Sequence, residues 1–108
     1  QNASDILQVA NYKKVVGENI LKLIKGVGLA KFSILMARHN DPDRSDIYGT
    51  PDLYLWATSK TNNTIQYVRF VEVKRPKEHL KVHQKEELAF LKDELNLKAR
   101  VLRLIEAN

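Results

Sequence analysis

The spacing of apolar and polar residues along the chain predicts an alternation of helices and strands. From Tyr12 to Lys25 the apolar residues recur at helical spacing, and Gly26 and Gly28 follow as helix stop signals. The compact apolar run from Phe32 to Ala37 predicts a buried strand. The residues before Tyr12 are more polar and predict only a short leading helix, with Ser4 as its N-cap.

The second half of the chain has the strongest strand pattern. A strand is predicted to start at Asp52, the polar connection from Thr58 to Thr64 suits a hairpin, and the next strand runs from Tyr67 to Lys74. A leucine stripe predicts a helix from His83 to Leu95, and Ala99 to Ile105 predicts a final strand. The predicted order is helix, strand, strand, strand, helix, strand, which is an α/β fold.

Composition limits the class of protein. The chain has 108 residues, 44% of them hydrophobic, which suffices for one core and therefore one domain over residues 1–108. It has no cysteine, which excludes disulfides, thiolate zinc sites and a cysteine nucleophile. No apolar run approaches membrane-spanning length. Because the chain starts at Gln1 rather than Met, we expect the C-terminal part of a longer protein, with residues 1–11 as a weakly structured leader.

Acidic residues stand in both strands of the predicted hairpin. Side chains alternate in a strand, so Glu72 and Lys74 point the same way, roughly 7 Å apart, and strand pairing can bring Asp52 beside Glu72. Two close carboxylates repel each other unless a cation lies between them, and such oxygen ligands suit Mg²⁺ or Mn²⁺. With Lys74 beside the ion, the implied reaction is phosphodiester hydrolysis. Taken alone, this spacing is more typical of a solvated sheet edge.

Two segments around these acids resemble the motifs of a known nuclease family. Gly49-Thr50-Pro51-Asp52-Leu53 and Phe70-Val71-Glu72-Val73-Lys74, with Gln84 in the following helix, are similar to the PD-(D/E)xK superfamily and, more narrowly, to the virus-type replication-repair nuclease (VRR-NUC) domain. The resemblance implies a restriction-endonuclease-like αβββαβ core with a mixed central sheet, a DNA substrate, and Mg²⁺ or Mn²⁺ as cofactor. It also implies that Asp52, Glu72 and the backbone carbonyl of Val73 are metal ligands, and that Lys74 is the catalytic lysine.

Two further residues are candidates for the same site. Gln84 shares the stripe of Leu88 and Leu91, where a lone amide would be costly unless it faced the site; the alternative is a partly exposed glutamine in the first turn. The resemblance also implies an acidic metal ligand from the first helix, for which Glu18 is the candidate. Its position nearly opposite the apolar stripe is equally typical of a surface charge.

Basic residues favour a polyanionic partner. The net charge is +5 and the pI is near 9.5, and lysines that neutralise phosphates release counterions from nucleic acid. A solvated surface of mixed charge is the commoner explanation for any single residue. The candidate DNA contacts flank the acidic residues or end the strand predicted at Phe32: Arg38, His39, Arg75, Lys77, Lys81 and Lys85.

The expected function is that of a metal-dependent DNA endonuclease. It would serve either as a DNA-damaging bacterial toxin or effector domain, or as a nuclease of repair and branched DNA. The resemblance implies two protein partners: an immunity or inhibitor protein for a toxin, and a second copy of the chain in a homodimer. No association with a membrane is expected. The enzyme would act in the cytoplasm and nucleoid, or in a target cell after delivery within a secreted effector. The alternatives are a non-catalytic DNA-binding module that keeps the nuclease fold and a basic protein-interaction domain.

Overall fold

A four-stranded sheet and the helices on one of its faces form the molecule. The computed structural model describes residues 5–39, 51–62 and 64–105. In chain order the elements are β1 (Asp5–Asn11), α1 (Tyr12–Glu18), α2 (Ile20–Val27), α3 (Leu29–His39), β2 (Leu53–Ser59), β3 (Ile65–Lys74), α4 (Val82–Ala89), a π-helical turn (Phe90–Glu94) that continues α4, and β4 (Ala99–Arg103).

The sheet is mixed, with strand order β1-β2-β3-β4. β1 with β2 and β2 with β3 are antiparallel, whereas β3 and β4 are parallel. Parallel neighbours need a crossover connection, and α4 with its π-helical turn provides it. The predicted class, an α/β domain with a mixed central sheet, is therefore confirmed.

Aromatic residues of β2 and β3 form the centre of the core. Tyr54 and Phe70 are fully buried, with ring centroids 5.3 Å apart, and Tyr12 packs edge-on against Phe70 at 5.4 Å. The hydroxyl of Tyr54 donates a hydrogen bond to the carbonyl of Lys22 at 3.2 Å, which ties α2 to the sheet. The buried cluster comprises Tyr12, Val15, Leu23, Val27, Leu35, Tyr54, Trp56, Phe70, Leu88, Leu91, Leu95, Leu97 and Ala99.

The helix predicted from Tyr12 to Lys25 is present as two helices. α1 and α2 meet at Asn19, whose backbone (φ −129°, ψ 41°) is not helical. α2 ends at Gly28, where φ is +90°, a conformation that glycine adopts without steric cost. The predicted stop at Gly28 is therefore confirmed, whereas Gly26 lies inside α2 and does not end it.

The strand predicted from Phe32 to Ala37 is wrong, because this run lies within the helix α3. Leu35 is buried and Phe32 and Met36 pack partly against the core, whereas Ile34 is 45% exposed. Core residues at one position and at the third and fourth positions after it are typical of one helical face. A short apolar run has no periodicity that separates this pattern from a buried strand.

The prediction of a short helix before Tyr12 is also wrong. Residues 5–11, predicted to be a weakly structured leader, form the edge strand β1, which pairs with β2 from Asp5 opposite Ser59 to Asn11 opposite Leu53. Leu7 and Val9 remain about half exposed. The strand therefore lacks the alternation of buried apolar and exposed polar residues by which a strand is recognised in a sequence. The sheet thus takes its fourth strand from before the helices, and the order βαααββαβ replaces the predicted αβββαβ.

The remaining predictions from periodicity are confirmed. The hairpin strands, the helix after them and the final strand lie where the pattern placed them, although β4 ends at Arg103. The Gly49-Thr50 part of the first motif lies outside the described residues. In the part of the chain that the structure describes, no helix has the length and apolar character of a membrane span.

Candidate active site

The hairpin of β2 and β3 brings the two predicted acids together. Leu53 pairs with Val71, so Asp52, directly before β2, lies opposite Glu72. The Asp52 Oδ2 atom accepts a hydrogen bond from the backbone N–H of Val73 at 2.8 Å. The Asp52 carbonyl accepts one from the N–H of Tyr12 at 2.9 Å. Asp52 is therefore anchored to both β3 and α1.

Glu72 is buried, with only 3% of the residue exposed. Its Oε1 atom accepts a hydrogen bond from Gln84 Nε2 at 3.1 Å and lies 4.0 Å from Lys74 Nζ. Its Oε2 atom is buried and has no hydrogen-bond donor among the described residues. One oxygen of this carboxyl group is thus left for a ligand.

The pKa of Glu72 reflects this environment. Burial, and after it the nearby Asp52 carboxylate, raise the pKa of Glu72 to about 7, while the Lys74 ammonium acts in the opposite direction. Burial penalises the charged form, and a second negative charge does the same. A cation between the two carboxylates would offset both effects and favour the charged form of Glu72.

The backbone of Val73 provides a third oxygen on the same side. The last pair of the β2–β3 ladder is Leu53 with Val71, and the N–H of Val73 donates to the Asp52 side chain instead of a strand. The N–H and C=O of one strand residue point to the same side, so the Val73 carbonyl also faces Asp52. Two carboxylates and one carbonyl make an all-oxygen donor set, which fits Mg²⁺ or Mn²⁺.

Glu18 is not brought to this pair. Its side chain is 66% exposed at the end of α1, with Oε2 3.9 Å from Lys14 Nζ. Within residues 5–39, 51–62 and 64–105, no group of three or more His, Cys, Asp or Glu residues could hold a metal ion. A ligand role for Glu18 remains a prediction from the resemblance.

Gln84 lies in the first turn of α4, partly buried, and uses both ends of its amide. Its Oε1 atom accepts a hydrogen bond from the N–H of Lys81 at 2.9 Å, while Nε2 donates to Glu72. The first bond satisfies a backbone donor at the helix start, as in a capping box. Gln84 therefore orients the Glu72 carboxylate from a rigid position.

The predicted DNA contacts fall into two groups. Arg75, Lys77, Lys81 and Lys85 are exposed on the segment that follows β3 in the chain. Arg38 differs: its Nη2 atom lies 2.6 Å from Glu87 Oε2, and its guanidinium lies 3.7 Å above the Phe90 ring. Its structural contacts are with α4 and the π-helical turn. The side chain of His39 lies outside those that the structure describes.

Two residues of the site were not predicted. Glu78 Oε2 lies 3.5 Å from Lys74 Nζ, and a hydrogen bond from the Arg75 N–H is the main cause that lowers the pKa of Glu78. Arg103, at the end of β4, donates to three carbonyl groups of the turn after β3. Glu78 lies in a turn, where neither helical nor strand periodicity indicates which side chains meet.

A mixed sheet that places an acidic pair and a lysine at the end of a β-hairpin defines a nuclease-type site. The model of the VRR-NUC domain matches residues 3–104, so the chain belongs to the VRR-NUC family. It is therefore a nuclease domain that processes DNA, as the resemblance predicted. Neither a curated protein nor a solved structure matches the chain.

Proposed function

We propose that the chain is an Mg²⁺- or Mn²⁺-dependent DNA endonuclease. Asp52, Glu72 and the Val73 carbonyl would hold the ion, and Lys74 would act on the reacting phosphate. The observation that carries this proposal is the buried Oε2 atom of Glu72, which lacks a donor and stands near the Asp52 carboxylate. A buried carboxyl group in such a place is costly unless a cation binds there.

The chain's own residues prepare the site before substrate binds. A bound Mg²⁺ or Mn²⁺ supplies positive charge that polarises a phosphoryl oxygen and acidifies water. Val73 fixes the Asp52 carboxylate, and Gln84 fixes that of Glu72. Lys74, 4.0 Å from Glu72, presents its ammonium group beside them and can stabilise negative charge that develops on the phosphate. The exposed lysines after β3 can contact backbone phosphates independently of sequence.

Cleavage of supercoiled plasmid tests the proposal. The wild type should cut with Mg²⁺ or Mn²⁺ and should stop when a chelator is added. Asp52→Asn, Glu72→Gln and Lys74→Met should each lower the rate by about 10²-fold or more, as losing a preorganised electrostatic group does. Glu94→Gln, the same change at an exposed position, is the control.

Undiminished cleavage by all three variants would contradict the proposal, as would cleavage that the chelator leaves unchanged. DNA binding without metal-dependent cleavage by the wild type would instead support the non-catalytic DNA-binding module.

The proposal extends to two biological settings. A repair or branched-DNA nuclease, acting in the nucleoid as a homodimer, should prefer flaps or four-way junctions over linear duplex. A toxin or effector domain, acting in a target cell after delivery, should kill bacteria that express it in the cytoplasm, and a co-expressed immunity protein should relieve the effect. Comparing these substrates and measuring growth separates the two settings.

A further inference from the structure

The ammonium group of Lys74 lies between the carboxylates of Glu72, on β3, and Glu78, in the turn that follows. The side chain is 3% exposed, and Nζ lies 4.0 Å from Glu72 Oε1 and 3.5 Å from Glu78 Oε2. Of these two contacts, only the one to Glu78 is within hydrogen-bond distance. A buried ammonium is costly without an acceptor, so Glu78 is the residue that holds this head group in place.

Glu78 is itself fixed by the turn that follows β3. Its N–H donates to the carbonyl of Arg75 at 3.1 Å, which closes a four-residue turn with Pro76 at the second position. Proline favours this position because its φ is already set. In return, the N–H of Arg75 donates to Glu78 Oε1 at 3.1 Å. The two bonds leave Oε2 directed at Lys74.

Arg103 ties this turn to the last strand. It is the partner of Lys74 in the parallel β3–β4 register. Its Nη1 atom donates to the carbonyls of Arg75 at 2.9 Å and Pro76 at 3.4 Å, and also to that of Glu78. The next residue, Leu104, donates its N–H to the carbonyl of Lys74 at 2.8 Å. The end of β4 therefore supports both the lysine and the turn.

We propose that Glu78 and Arg103 are positioning residues of this nuclease. Glu78 sets the place of the Lys74 ammonium relative to Glu72, and Arg103 holds the turn that presents Glu78. The inference rests on the proposed function, since it concerns the lysine that acts on the phosphate. Displacing a reacting group by 1 Å can cost about 10²-fold in rate, so the contacts of Lys74 matter as much as its presence.

Steady-state kinetics with Mn²⁺ on a duplex substrate give the first test. Glu78→Ala and Arg103→Ala should lower kcat by about 10²-fold while changing KM little, the pattern of an interaction used in the transition state. Glu78→Gln keeps an acceptor for the Arg75 N–H but loses the charge beside Lys74, so its loss should be smaller.

Glu94→Ala and Arg100→Ala are the matched controls, because they remove the same charges at exposed positions of the π-helical turn and β4. Both should retain wild-type kcat. An equal loss of kcat in Glu94→Ala and Glu78→Ala would show that the effect comes from the overall charge of the protein. That result would overturn the proposal.

Labelling of lysines with an amine-reactive reagent, read residue by residue by mass spectrometry, gives a second test that does not depend on cleavage. Lys74 should be protected in the wild type and both controls, and labelled faster in Glu78→Ala and Arg103→Ala at nearly unchanged melting temperature. Unchanged Lys74 labelling in Glu78→Ala overturns the positioning role. A wild type that never cleaves, yet shows this labelling pattern, overturns the proposed function and supports the role of Glu78 in placing Lys74.

Discussion

Glu72 has a pKa of about 7 in the folded chain, against an ordinary value of 4.5. Between these two values the folded chain keeps a proton that the unfolded chain has released. In the absence of metal, the free energy of unfolding should therefore fall as the pH rises from about 4.5 to about 7, and this contribution should be constant above that range. The fall should be roughly 3 kcal/mol, measured by urea denaturation with a chelator present.

Glu72→Gln is the control for this pH dependence. It removes the titrating group while keeping a similar shape. The difference between the pH profiles of unfolding free energy for the wild type and the variant therefore separates the contribution of Glu72 from that of the three histidines. The variant should be the more stable protein at neutral pH without metal. Parallel profiles would show that Glu72 titrates normally in the folded state.

Metal binding should offset the loss of stability that ionisation of Glu72 causes at neutral pH. At neutral pH, Mg²⁺ or Mn²⁺ should raise the melting temperature of the wild type, because a ligand at 100 times its Kd stabilises the folded state by about 2.7 kcal/mol. Asp52→Asn should show little of this rise in the same thermal scan. An equal rise in both proteins would place the ion elsewhere.

The acids and the lysine of the site could be predicted because their positions follow from strand alternation and hairpin pairing. Gln84 was predicted from the family resemblance, and its helical spacing from Leu88 and Leu91 supported that prediction. Glu78 could not be predicted, because its contact with Lys74 depends on a turn whose shape is set by hydrogen bonds from Arg75 and Arg103. Contacts made across a turn leave no periodic trace in a sequence.

At the scale of the helices, α2 lies close against the side chains of the sheet at Gly26. A methyl group added there would clash with the Tyr54 hydroxyl and lie 2.5 Å from Val68 Cγ1. Gly26→Ala should therefore destabilise the domain by roughly 1–3 kcal/mol, as overpacking of a core does. Urea denaturation measures the change.

Gly17→Ala is the matched control in α1, where an added methyl group meets nothing within 4 Å. Alanine is favoured over glycine in a helix by about 0.5–1 kcal/mol, so this variant should be more stable than the wild type. If both glycine variants shift stability in the same direction, α2 does not pack on Tyr54 as described.

The elements that sequence patterns misassigned share a physical cause. Phe32 to Ala37 is apolar enough for a strand, and only packing of α3 against the core decides that it is helical. β1 is an edge strand with exposed apolar side chains, so its position depends on pairing with β2 rather than on its own pattern. Both features are set by tertiary contacts. The hairpin, by contrast, carries its own turn residues and strand spacing, which made it predictable.

For the whole molecule, the net charge of +5 should make DNA binding strongly dependent on salt. Each phosphate contact contributes about 0.9 to the slope of log K against log salt concentration. The double variant Lys77→Ala/Lys81→Ala should lower that slope by up to about 2. Fluorescence anisotropy without metal, at several salt concentrations, measures it.

Lys25→Ala/Lys60→Ala removes the same charge at exposed positions on α2 and in the hairpin turn. It should leave the slope closer to that of the wild type. Equal slopes in the two double variants would show that DNA binding depends on the net charge of the protein alone and not on the segment after β3.

The parallel pairing of β3 and β4 has a consequence for how the enzyme becomes active. During synthesis, Asp52, Glu72 and Lys74 emerge before β4, whose Arg103 anchors the turn that carries Glu78. A nascent chain without β4 would have the proposed catalytic residues but no support for the lysine. The nuclease should thus be inactive until β4 pairs with β3. Inactivating mutations collected at random should include many in β4, a strand that supplies none of the proposed metal ligands.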